Sequence, residues 1–314
     1  MIYLKKRIGF LLIITSLFFS IMGVLSVHGV STFEGTVEDC SNNPLSGATI
    51  VLTDCYYNIL DTDTTDSSGD YYISVTLNGN APYYLTATKT RFNSDMETVY
   101  SGGTNDFELV GISEKIGVFF WASDAGEEEY IDDYIDILED KHGYTKFYKY
   151  EDCANVAAVE SAMDTIDAYE HDQDTVFVYI MGHGSTYNGH SRTKFKEDGT
   201  EIDSDDFREY MDDLEAPRKC IVVESCYSGY WVDDFTASPY LAISSSREDK
   251  PALTYLSQPT PYEGKFSHYF FAQVYNEATG TQAFSSAYSC CQSPAEDAQY
   301  AQISDCSSYV WFGS

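Results

Sequence analysis

Lys219-Cys220-Ile221-Val222-Val223-Glu224-Ser225-Cys226-Tyr227-Ser228-Gly229 decides how this chain folds. The apolar run Ile221 to Val223 marks a buried strand, and it breaks into a polar knuckle that carries Cys226. A second run, Thr175-Val176-Phe177-Val178-Tyr179-Ile180-Met181, ends the same way in Gly182-His183-Gly184-Ser185. The spacing from His183 to Cys226 leaves room for one strand-helix-strand unit, so the two strands are expected close together in a parallel sheet. Ligands of such sheets sit outside the carboxyl ends of the strands, where both residues fall. There an imidazole can take a thiol proton and leave a nucleophilic thiolate. Either residue alone signals little, because a cysteine behind an apolar strand is commonly a core filler. The pair, each member followed by small residues that admit a substrate, points to thiol catalysis.

The 314 residues suffice for one large domain and a small one. Lys and Arg number 18 against 50 Asp and Glu, a formal net charge of -32, which argues against a nucleic acid partner because phosphate binding needs a basic surface. The charge favours solubility and cationic ligands. Lys5-Lys6-Arg7 followed by a mostly apolar Phe10 to Leu25 reads as a targeting segment over 1–29, with Val27-His28-Gly29 as a cleavage site. An uncleaved N-terminal anchor is the alternative and the only membrane attachment expected. Either way the remainder is expected to be secreted or at the extracellular surface. Eight cysteines in an exported chain suggest disulfides, with Cys40–Cys55 the leading pair and two of Cys290, Cys291 and Cys306 another.

Residues 31–110 read as short strands between turns: Phe33 to Val37, Ala48 to Leu52, an alternating Tyr71, Ile73 and Val75, Tyr83 to Thr88 and Phe107 to Val110. No helical period intervenes, so a small all-β sandwich is expected. Gly35-x-Val37, Pro44-Leu45-x-Gly47-Ala48-x-Ile50-x-Leu52 and Thr65-Asp66-x-x-Gly69-x-Tyr71-x-Ile73 resemble the carboxypeptidase-regulatory-like domain, which implies a transthyretin-like sandwich with no chemistry of its own. Asp61, Asp63 and Asp66 could hold calcium, with a solvated acidic turn as the other reading.

From residue 111 strands alternate with helices. Lys115 to Ala122 is a buried strand. Glu129 to His142 is an amphipathic helix stopped by Gly143. A strand over Thr145 to Tyr150 and a helix over Ala154 to Ala168 follow, then the His183 strand. Lys194 to Ile202 reads as a hairpin turning at Glu197-Asp198-Gly199-Thr200, and Ser204 as the cap of a helix bearing Phe207, Tyr210, Met211 and Leu214. After the Cys226 strand come a strand over Pro239 to Ser245 and a helix over Phe266 to Tyr275. The alternation gives an α/β sandwich with a mostly parallel sheet over 111–314.

Val176 to Ser185 together with Val222 to Gly229 resemble the caspase-like clan of cysteine peptidases. The Glu-x-Cys-x-Ser-Gly spacing and the segment Leu241 to Glu248 are most similar to the legumain family, which includes the glycosylphosphatidylinositol transamidase catalytic subunit. Gingipains and metacaspases share the same logic. The resemblance implies an αβα caspase-like fold and an endopeptidase that needs no metal or cofactor. It implies His183 as general base and acid, Cys226 as the nucleophile of a thioester acyl-enzyme, and the backbone N–H groups of Gly184 and Cys226 as the oxyanion hole. The family's histidine-orienting residue would fall in Ser123 to Glu128, with Asp124 the candidate. The substrate is a polypeptide.

Legumain's asparagine pocket draws an arginine from this first loop, but here the loop holds Glu127, Glu128 and Glu129 and no basic residue. Glu224, two residues before Cys226, is expected to project beside it and to select Lys or Arg. If Arg247 instead folds back onto Glu224, the pocket is neutral and cleavage follows Asn. A catalytically dead binding or adhesion protein and a transpeptidase are the competing functions. A serine hydrolase is disfavoured by the lack of a Gly-x-Ser-x-Gly elbow.

Overall fold

The computed structural model describes residues 29–126, 128–196, 198–237, 239–255, 263–276, 278–291 and 300–305. Residues 1–28, most of the expected targeting segment, lie outside them. The chain divides into two compact units, Met1–Gly111 and Ile112–Ser314.

The first unit holds eight strands: β1 (Val30–Asp39), β2 (Thr49–Thr53), β3 (Ile59–Thr64), β4 (Asp70–Thr76), β5 (Tyr83–Thr88), β6 (Asp95–Val99), β7 (Gly103–Thr104) and β8 (Phe107–Leu109). One sheet runs β4-β1-β7 with β8 also on β1, and the other runs β3-β2-β5-β6. Period-two alternation turns Phe33, Ile50, Leu52, Ile73 and Leu85 into one shared core. The sequence reading overlooked β3 and β6, whose Asp and Thr content hides the alternation. Cys55 is a free, half-buried thiol, so the expected bond to Cys40 is not formed. Cys290 and Cys291 are likewise free, and Cys306 lies outside the described residues. Asp63 accepts the Tyr72 N–H, and Asp66 accepts those of Ser68 and Asp70, so these carboxylates brace turns. No group of side chains that could hold a metal ion occurs among the described residues.

The second unit is a three-layer sandwich. Its sheet runs β10 (Lys146–Glu151), β9 (Lys115–Trp121), β11 (Thr175–Met181), β15 (Arg218–Glu224), β16 (Tyr240–Ser244), β19 (Gln302–Asp305), parallel except for β19. A separate sheet of β12 (His183–Tyr187), β13 (His190–Lys194) and β14 (Ile202–Asp203) rises beyond β11, and β17 (Thr254–Tyr255) pairs with β18 (Glu263–Gly264). Because the central strands are apolar along most of their length and buried on both sides, both faces need covering. On one face α1 (Glu128–His142), α5 (Lys265–Val274) and α6 (Gly280–Cys291) pack on Phe119, Phe177, Tyr179 and Val222. On the other α2 (Val156–Asp167), α3 (Ser204–Asp213) and α4 (Gly229–Asp234) pack on Val118, Phe120, Val178 and Ile221.

One local expectation is corrected. Ser204 does not cap α3: the N-cap is Asp203, and the Ser204 hydroxyl instead donates to Asp234. The expected hairpin over Lys194 to Ile202 is present, since β13 and β14 pair antiparallel through Arg192–Asp203 and Thr193–Ile202, and a further two-residue turn at Asn188-Gly189, with φ angles of 52° and 86°, joins β12 to β13. No helix among the described residues is long and apolar enough to cross a membrane.

Candidate active site

The strand order reverses at β9 and β11, the place where open parallel sheets form a crevice. Register fixes what meets there. Met181 lies opposite both Trp121 and Glu224, so the residues just past these three positions share one rim. They are Asp124, His183 and Cys226, and all three line a cavity of about 230 Å³ together with Met181, Glu224 and Gly264.

The loop after β9 is pinned at its base. Ser123 donates from its N–H and its hydroxyl to Asp152 at 2.8 Å each, and the N–H groups of Ala125 and Gly126 bond to the Ala122 carbonyl. This brings the Asp124 carboxylate to 3.0 Å from Nε2 of His183. The contact is an ion-pair approach without hydrogen-bond alignment, since Nε2 has no aligned partner. His183 and Asp124 are both partly exposed.

Past His183 the backbone rests directly on the Cys226 peptide. A Cβ added at Gly184 would stand 1.8 Å from the Cys226 carbonyl oxygen, so only glycine allows this approach. Cys226 is half-buried. Burial pushes its thiol up, hydrogen bonding involving the Ala252 backbone opposes the rise, and the negative charge of Glu224 adds to it. The next residue, Tyr227, holds a left-handed φ of 59°, which costs a residue with a side chain about 1–2 kcal/mol.

Glu224 is buried, at 3 % exposure, and it does not stand unpartnered beside Cys226. Its Oε2 accepts the N–H and the hydroxyl of Ser267, each at 2.8 Å, in the first turn of α5. The Ser267 hydroxyl in turn accepts from Tyr179. Gly264 packs on this carboxylate so closely that a Cβ would come within 2.4 Å of it. Beside it Glu263 accepts from Tyr134 and pairs with His268 at 2.8 Å. Burial raises both phenols well above their ordinary value and keeps them as donors. Ser267, Gly264 and Glu263 were not singled out from the sequence, because they reach Glu224 from some forty residues away and carry no local motif.

Arg247 is not a pocket residue. Its guanidinium pairs with Asp249 through two bonds, packs over Tyr300 and does not line the cavity. A partner two residues away is reached without ordering further chain, so the fold-back onto Glu224 is not formed.

A family model described as the peptidase C13 family matches residues 136–308. No match was found among curated proteins. Of solved structures, chlorocatechol 1,2-dioxygenase from Pseudomonas putida is similar at 14% identity over 26% of this chain, with a TM-score of 0.23. The shaft pilin spaA from Lactobacillus rhamnosus GG is similar at 11% identity over 26%, with a TM-score of 0.24. The alignments cover 61% and 46% of those chains, and likeness this slight carries no argument. The family match takes in more than half of the chain, including β11, β15 and both strand ends where His183 and Cys226 stand, and on that ground the chain belongs to the peptidase C13 family, whose members are legumain-like cysteine peptidases.

Proposed function

We propose that the protein is an exported endopeptidase that hydrolyses peptide bonds through a Cys226–His183 dyad and a thioester acyl-enzyme. The observation that carries this reading is the convergence of Asp124, His183 and Cys226 from three adjacent strand ends on one cavity. His183 takes the thiol proton and returns it to the leaving amine. With Nε2 facing Asp124, the exchange with the thiol falls to Nδ1. The N–H groups of Gly184 and Cys226 bind the oxyanion.

Glu224 supports cleavage after Lys or Arg. A carboxylate lining the cavity beside the nucleophile favours a cation there, and no lysine or arginine lines that cavity among the described residues. Residues 31–110 form an appended carboxypeptidase-regulatory-like module, and 111–314 form the peptidase domain. Truncation to 111–314 should leave small-peptide cleavage intact, and its loss in a folded fragment would assign the module a part in the site.

The deciding experiment is labelling by a thiol-directed peptide electrophile. Wild type should be labelled and should turn over peptides, whereas Cys226→Ala and His183→Ala should do neither at a measurable rate, with the double variant scarcely worse. Labelling that survives Cys226→Ala rejects the assignment and favours a binding protein.

A further inference from the structure

We propose that Ser191 is a positioning residue of the reaction, whose hydroxyl ties the hairpin bearing His183 to the knuckle bearing Cys226. The inference rests on the dyad reading above. The central sheet fixes the backbone only as far as Gly182, whose N–H bonds to the Glu224 carbonyl. From His183 onward the chain belongs to the separate β12–β13–β14 sheet, so contacts outside the central sheet must seat the histidine relative to the thiol.

Ser191 and Thr193 are two residues apart on β13, hence on one face of it, and both are fully buried. They lie opposite Thr186 and Gly184 of β12. The Ser191 hydroxyl donates to the Tyr227 carbonyl at 2.5 Å and accepts the Tyr230 N–H at 3.1 Å. Thr193 Oγ1 lies 3.3 Å from Ser225 Oγ. The residues on either side of Cys226 are thus both tied to the hairpin. At the turn end, His190 Nδ1 lies 3.5 Å from the carboxylates of Asp205 and Asp234, the latter closing the helix that follows the knuckle.

Tyr227 is the strained element. Its N–H donates to the Lys250 carbonyl at 2.7 Å and its own carbonyl is held by Ser191, so both of its peptide groups are restrained in the left-handed conformation. Without Ser191 the Tyr227 carbonyl and the Tyr230 helix N–H lose their partner. Tyr227 then relaxes toward ordinary φ and carries the Cys226 thiol and N–H away from His183. Glu224, Gly264 and Ser267 make none of these bonds, so the pocket is left as it was.

The test compares kcat and KM for one fluorogenic peptide in the full chain. Ser191→Ala should lower kcat about tenfold or more with KM changed less than about twofold. Adding Tyr227→Gly should recover at least about threefold of the lost kcat, because glycine adopts this φ without strain. Ser191→Cys keeps the shape, weakens both bonds and should fall between wild type and alanine. It carries the same prediction should the alanine variant fail to fold. Unchanged kcat in either variant, a loss confined to KM, or no recovery on adding Tyr227→Gly to folded Ser191→Ala overturns the proposal. A wild type without Cys226-dependent turnover overturns it together with the proposed function, whereas the other failures leave that function standing.

Discussion

The carboxylate of Asp124 stands 3.0 Å from Nε2 of His183, so the loop after β9 sets a negative charge beside the imidazole. Asp124→Asn keeps the shape but removes the charge that stabilises an imidazolium. It should lower kcat about tenfold or more, with little change in KM. Full activity in that variant would reduce Asp124 to a loop residue.

Glu224 should set the residue before the cleaved bond. Matched peptides with Arg or Lys at that position should exceed those with Asn or Asp in kcat/KM, and Glu224→Gln should narrow the difference. A wild type that prefers Asn, or a basic preference untouched by Glu224→Gln, rejects the electrostatic pocket.

The same carboxylate should be visible in the titration of the nucleophile. Burial first, and Glu224 in addition, hold the Cys226 thiol above the ordinary cysteine value. Thiolate therefore forms at higher pH than in a solvated cysteine. Removing the charge in Glu224→Gln should move the pH dependence of iodoacetamide alkylation of Cys226 to lower pH. An inflection that stays put would mean that the two groups do not interact.

Glu170 offers a stability test away from the cavity. It is buried, and burial pushes its carboxyl from 4.5 up to about 7, against the opposing bonds from the N–H groups of Glu215 and Ala216 and with the help of Asp174. Between those two values the folded chain keeps a proton that the unfolded chain releases, so stability from this group is complete below about 4.5 and is lost as pH rises through about 7. Glu170→Gln should flatten that part of the Tm-against-pH curve. An unchanged slope would assign it to other groups.

The central strands were legible because burial on both faces leaves nearly continuous apolar runs, and the positions of His183 and Cys226 were legible because each follows such a run. Glycine at 184 had a readable reason as well, the close approach of its backbone to Cys226. The hairpin over 194–202 was legible and β13 and β14 form it, whereas the Asn188-Gly189 turn just before it, also written in the sequence, was passed over. Ser191 had no such signature: its partners, Tyr227 and Tyr230, lie 36 and 39 residues onward and meet it only after the sheet has formed. Helix α6, rich in Ser and Ala, shows too little contrast between its faces to stand out from a loop. Arg247 misled for the opposite reason, since a nearby aspartate satisfied it before any distant carboxylate could.

The antiparallel strand β19 has a bearing on how the molecule comes into being. Its partner β16 ends at Ser244, whereas β19 begins at Gln302, so the ribosome releases one edge of the catalytic sheet long before its cover. Until then β16 presents a bare ladder of backbone groups, a template for pairing with a neighbouring nascent chain. The Gln302 side chain also donates to Glu248 and sits against Gly229, at the start of the helix that follows Cys226. Closing the edge and bracing the knuckle are therefore one late event in biogenesis, and the chain's own emergence times the completion of a site able to cut proteins.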